Sequence, residues 1–203
     1  MQAALMISWL LAGSSHSDLP GPVTDVAGKT LPQWTKDLNS PNEFVRLRAV
    51  KNLLPFGKAA VPSLAKALGD NHVGVKYWAA SHLGDLGTAP QASTAALLKM
   101  EAGKNEALAM AAAYALCRID KPDGHIKLLM SRLEYPERGM ACCAAEFLGK
   151  LGPGAEAAVP ALEAAYKRND RKPGEKGKPA ADYHIRGASQ NALRLILGNR
   201  EAK

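Results

Sequence analysis

Two stretches, FVRLRAVKNLLPFG at 44–57 and GVKYWAASHLGDLG at 74–87, decide the fold. They superpose with Val45 on Val75, Arg46 on Lys76, Ala49 on Ala79, Leu53 on Leu83 and Gly57 on Gly87. Each carries an apolar or small residue at i, i+4 and i+8, the spacing that gathers side chains on one face of a helix. Further copies read ALAMAAAYALCRID at 107–120 and GMACCAAEFLGKLG at 139–152, with a degenerate one, YHIRGASQNALRLILG, at 183–198. A unit recurring at roughly 30 residues that cannot bury its own apolar face marks a stacked repeat array.

A second motif precedes two of these copies. Ala59-Ala60-Val61-Pro62-Ser63-Leu64 recurs as Ala157-Ala158-Val159-Pro160-Ala161-Leu162. Proline suits the first turn of a helix, where its missing N–H had no partner. Leucines follow at helical spacing, as Leu64 with Leu68 and Leu129 with Leu133, and Leu97 stands alone between them. Gly57, Gly87 and Gly152 fall where the second helices should end. Gly69-Asp70-Asn71 and Asn39-Ser40-Pro41 read as the turns within units. The small residue at i+4 recurs as Ala49, Ala79, Ala112, Ala144 and Ser189, as close approach of neighbouring helices requires.

The pattern resembles HEAT-like repeats of the phycobilisome-lyase type, most closely in GKAAVPSLAKALGD at 57–70 and LGPGAEAAVPALEAAY at 151–166. The resemblance covers 30–198 and implies an all-α fold, a right-handed α-α superhelix (solenoid) of about five HEAT-like helix pairs. We expect repeats at 30–57, 58–87, 88–120, 121–152 and 153–198, with a tail at 199–203. Such repeats occur widely in bacteria as binding modules. Some relatives attach bilins to phycobiliproteins and others are DNA glycosylases. Metal hydroxylases of this fold carry repeated His-Glu pairs, and this chain has none.

The N-terminal run AALMISWLLAG at 3–13 has signal-peptide length, and small residues at Ser15 and Ser17 suit cleavage after Ser17. No Lys or Arg precedes it, so an amphipathic first helix is the competing reading. We expect 1–17 to be a signal peptide directing export to a periplasmic or extracellular location, with cytoplasmic residence otherwise. The segment 18–29 reads as a linker, and no transmembrane anchor is expected in the mature chain.

Charge is uneven. The net charge is +7, but residues 167–203 hold 10 basic and 4 acidic residues, leaving a net of +1 on the other 166. A phosphate-tracking groove needs cations along its length, so nucleic acid is not the expected partner. The basic residues concentrate in an insertion, RNDRKPGEKGKPAAD at 168–182, which lacks large apolar residues. Arg168, Arg171, Lys172, Lys176 and Lys178 are its candidate electrostatic contacts for an anionic ligand, nucleic acid or acidic partner. A plain solvated loop is the competing reading.

Catalytic patterns are missing from the sequence: it has no HExxH, CxxC, P-loop or GxSxG. Cys117, Cys142 and Cys143 lie in alanine-rich stretches and read as small core residues. We therefore expect a non-enzymatic protein-protein interaction scaffold, monomeric, with no cofactor and another protein as partner. A phycobilin-lyase-like accessory enzyme is the alternative. On a helical wheel of about 100° per residue, the side opposite the packed stripe forms an outward ridge. It holds Leu47, Lys51, Tyr77, Ser81, Met110, Tyr114, Cys142, Glu146 and Asn191. This ridge is the candidate partner surface, and gap-filling between repeats is the competing role for its aromatic members.

Overall fold

A computed structural model describes residues 23–120, 122–170 and 182–198. It is an all-α solenoid. Helices pair as consecutive hairpins: α1 (Leu31–Asp37) with α2 (Glu43–Lys51), α3 (Val61–Ala67) with α4 (Val73–Leu86), and α5 (Gln91–Glu101) with α6 (Glu106–Ile119). α7 (Pro122–Arg132) pairs with α8 (Arg138–Leu151), and α9 (Val159–Asn169) with α10 (Tyr183–Leu197).

Local chemistry starts and stops these helices. Asn42 Oδ1 accepts the Phe44 N–H at 2.9 Å and Asn105 Oδ1 the Leu108 N–H at 3.0 Å, which satisfies donors that a helix start leaves open. Asp182 does the same for His184 and Ile185. Gly87 ends α4 in the left-handed region at φ 63°, where a side chain would be strained. The copy at 44–57 departs from the others: α2 ends at Lys51, well before Gly57. Pro55 has no N–H to continue the ladder and its ring clashes with a carbonyl four residues back, so the chain turns into a 3-10 segment at Leu54–Ala60. A matching 3-10 segment, Gly152–Ala158, leads into α9. Both AAVP motifs thus enter their helices alike, with Ala60, Leu64, Ala158 and Leu162 buried.

The second helices α2, α4, α6, α8 and α10 pack in sequence against one another, and each first helix lies against its hairpin partner. Small side chains set the spacing of this row. In α6 the run Ala111–Ala112–Ala113 and Ala115 are buried between α4 and α8. Gly84 lies so near α6 that a β-carbon there would come within 2.7 Å of the Tyr114 ring and 3.1 Å of Ala115 Cα. Gly149 is likewise placed against α10, with 3.0 Å to Ala192 Cα.

The N-terminal end of the stack is closed by Trp34, fully buried, whose Nε1–H donates to the Val26 carbonyl at 2.9 Å. Residues 23–29, within the segment expected as a linker, are therefore tied to α1. Lys29 and Arg48 flank the indole ring at 4.8 and 5.5 Å from its centroid. Residues 1–22 and 199–203, which include the expected signal peptide and tail, lie outside the described residues.

Candidate interaction surface

The expected ridge runs along the second-helix row, and its middle is covered. Met110 and Tyr114 are 0% and 1% exposed and Ser81 is 4% exposed, so none of the three lines an accessible stripe. A wheel drawn on one helix takes no account of how closely its neighbours approach. With alanine and glycine between them, α4 and α8 rise over α6, and Phe147 stacks on Tyr114 at 4.7 Å with planes 11° apart. Glu146 and Asn191 are exposed, and Asn191 Oδ1 accepts from Arg194 at 3.0 Å. Cys142 is half-buried.

The covered part carries a polar knot. Tyr114 Oη donates to Asp85 Oδ1 at 2.8 Å, and Lys150 Nζ reaches the same oxygen at 2.9 Å. The His82 ring stands 3.8 Å from the other oxygen, and Arg118 Nε donates to the Gly84 carbonyl at 3.2 Å. Burial alone would raise the Asp85 carboxyl, but the contacts from His82, Lys150 and Tyr114 outweigh it and hold it below the usual carboxylate range. Burial, with the Asp85 charge beside it, pushes the Tyr114 phenol well above its ordinary value. These groups link α4, α6 and α8 and hold one another.

The ridge stays open where α2 meets α4. Leu47 and Tyr77 are half-buried and Lys51 is exposed, its Nζ 5.0 Å from the Trp78 ring centroid. Tyr77 meets Trp78 edge-on at 5.6 Å, and its hydroxyl lies 3.4 Å from Cys143 Sγ. Burial, then Cys143, pushes the Tyr77 phenol up. The sequence reading passed over Phe44, 71% exposed on α2. It precedes Leu47 by three residues and Lys51 by seven, so helical spacing puts it on their side of α2.

The electrostatic loop is corrected at its start. Arg168 belongs to the last turn of α9, because that helix runs on to Asn169. Its guanidinium bonds Glu134 at 3.2 Å and the Leu133 carbonyl at 3.3 Å, so it joins hairpins instead of projecting from a loop. Arg171, Lys172, Lys176 and Lys178 lie outside the described residues. Among the described residues, no group of three or more His, Cys, Asp or Glu could hold a metal ion, and no helix is long and apolar enough to cross a membrane.

Stacked helical hairpins joined through small residues and inter-repeat polar bridges define an α-solenoid. Residues 31–116, which span α1 to α6, match the family model for HEAT repeats. No curated protein matches the chain. Similar solved structures include two engineered proteins from the Northeast Structural Genomics Consortium. One is 19% identical, covering 82% of this chain and 78% of that one, with a TM-score of 0.44. The other is 20% identical, covering 82% of this chain and 47% of that one, with a TM-score of 0.42.

Proposed function

We propose that this protein is a non-enzymatic scaffold that binds another protein through the open α2–α4 face. One observation carries the reading. Phe44, Leu47 and Lys51 share one side of α2, Tyr77 and Trp78 on α4 are half-buried, and the Lys51 ammonium lies 5.0 Å from the Trp78 ring centroid, on two helices locked together by the stack. Rigid, partly exposed aromatic residues beside a cation are the composition from which binding hot spots are built. Since both helices are held by buried packing, little conformational entropy is lost on docking.

We further assign the repeats to the phycobilisome-lyase HEAT-like type, supported by the two AAVP entries into α3 and α9. The chain is exported after removal of 1–17 and acts as a monomer; the apolar run at 3–13 supports export. The test is capture from native extract on the immobilised full chain, read by mass spectrometry. A protein retained saturably by the wild type and lost with Lys51→Glu plus Phe44→Ser supports the scaffold. Equal retention by both forms, or no saturable retention, contradicts it.

A further inference from the structure

On the edge where first helices end and second helices begin, the first two hairpins are joined by a bidentate ion pair. Arg46 Nε lies 2.7 Å from Asp70 Oδ2, and Arg46 Nη2 lies 3.0 Å from Oδ1. Arg46 stands four residues after the α2 cap Asn42, and Asp70 two residues before the α4 cap His72. The next junction repeats the cation but not the acid. Lys76 stands four residues after His72, while the place two residues before the α6 cap Asn105 is occupied by Gly103.

A groove of about 510 Å³ lies at this junction, between the α3–α4 and α5–α6 turns. Lys76, Lys99 and Lys104 line it, and none of them has an acidic partner or a side-chain hydrogen bond among the described residues. Leu68, Met100 and Leu108 supply apolar lining. Asp70, the carboxylate on its rim, is already engaged by Arg46 and by the His72 N–H at 2.7 Å. At the following junction the carboxylates are present: Glu101 meets His125 at 2.8 Å and Glu106 meets Arg132 at 2.6 Å.

We propose that this groove binds an extended acidic segment of a partner protein, with carboxylates on the three ammonium groups and an aliphatic side chain on Leu68, Met100 and Leu108. The proposal rests on the scaffold reading and adds a second contact, on the edge of the stack instead of its α2–α4 face. Three unpaired cations around one apolar patch favour an anionic chain that also carries hydrophobic side chains. Nucleic acid fits less well, because the lining offers no aromatic platform for bases and the arginines at the neighbouring junctions, Arg46 and Arg132, are already paired with Asp70 and Glu106.

The test is fluorescence anisotropy of a labelled peptide of alternating glutamate and leucine, titrated with the full chain at physiological salt. Lys76→Glu plus Lys99→Glu should weaken binding at least about tenfold. The charge-matched pair Lys58→Glu plus Lys127→Glu, both exposed and outside the groove lining, should change it by less than about threefold. Met100→Ser, which leaves every charge in place, should weaken it by about threefold or more. Equal weakening by the two charge-matched pairs would overturn the groove, because the peptide would then be reading net charge alone. So would the absence of saturable binding, an unaffected Met100→Ser variant, or displacement of the peptide by a single-stranded oligonucleotide of higher affinity. If the groove fails while Lys51→Glu plus Phe44→Ser still abolishes partner capture, the scaffold stands without it.

Discussion

Tyr114 and Asp85 tie α6 to α4: the phenol donates to the carboxylate at 2.8 Å across two neighbouring repeats. Lys150 brings α8 to the same oxygen, so three successive second helices meet at one carboxylate. Tyr114→Phe keeps the ring on Phe147 and removes only the hydroxyl. We expect a loss of about 1 kcal/mol, or roughly 2–4 °C in Tm by thermal circular dichroism. An unchanged Tm would mean that water replaces the bond at no cost.

Two glycines with opposite surroundings test the close approach of the row. Gly84→Ala puts a methyl group 2.6 Å from a Tyr114 ring carbon and near the Ala115 backbone, so it should destabilise by about 1–3 kcal/mol. Gly187, inside α10, has open space where a methyl group would stand, with nothing within 4 Å. Gly187→Ala should therefore stabilise by about 0.5–1 kcal/mol through helix propensity. Urea denaturation of the two variants should move the midpoint in opposite directions. Movement in the same direction would contradict the packing described for Gly84.

Acid should loosen the same joint. The Asp85 pKa is lower folded than unfolded, because the nearby His82 ring and the bonds from Lys150 and Tyr114 overcome the burial that would raise it. Its stabilising effect is therefore present above the unfolded value of about 4 and is lost as pH falls through the lower folded value. Asp70 and Asp182 are lowered as well and add to the same slope. We expect the urea midpoint to drop below about pH 4, and to drop less steeply in Asp85→Asn. Parallel pH profiles would remove Asp85 from the explanation.

The thiols should be ranked by burial. Burial pushes Cys117 up to about 12, with Glu101 adding to it, while Cys142 is less enclosed. At pH 8 only about one Cys117 in ten thousand would be thiolate, so it should not react with a disulfide reagent until the chain unfolds. Cys142 should react first in the folded protein. Modification of Cys117 at the rate of a free thiol would contradict its placement in α6.

How far the fold was legible depended on how local its causes are. α4, α6 and α8 could be read from their repeated apolar and small residues, because that periodicity belongs to each helix. The early end of α2 was also written locally, in Pro55, although Gly57 matches the helix-ending Gly87 of the next copy. The ridge was legible only in part. The burial of Met110 and Tyr114 depends on how far neighbouring helices rise over α6, and that distance is set by Gly84 and Gly149, glycines inside helices rather than at their ends. The lysine groove depends on a comparison no single segment contains: Arg46 finds Asp70, while the place answering Asp70 at the next junction holds Gly103.

Hydrogen exchange on the complex with the captured partner tests the scaffold most directly, because it reports which helices the partner covers. We expect slowed exchange in peptides spanning 43–51 and 73–80, with α9 and α10 unchanged. Protection confined to α9 and α10, or none on any helix, would contradict binding through the α2–α4 face.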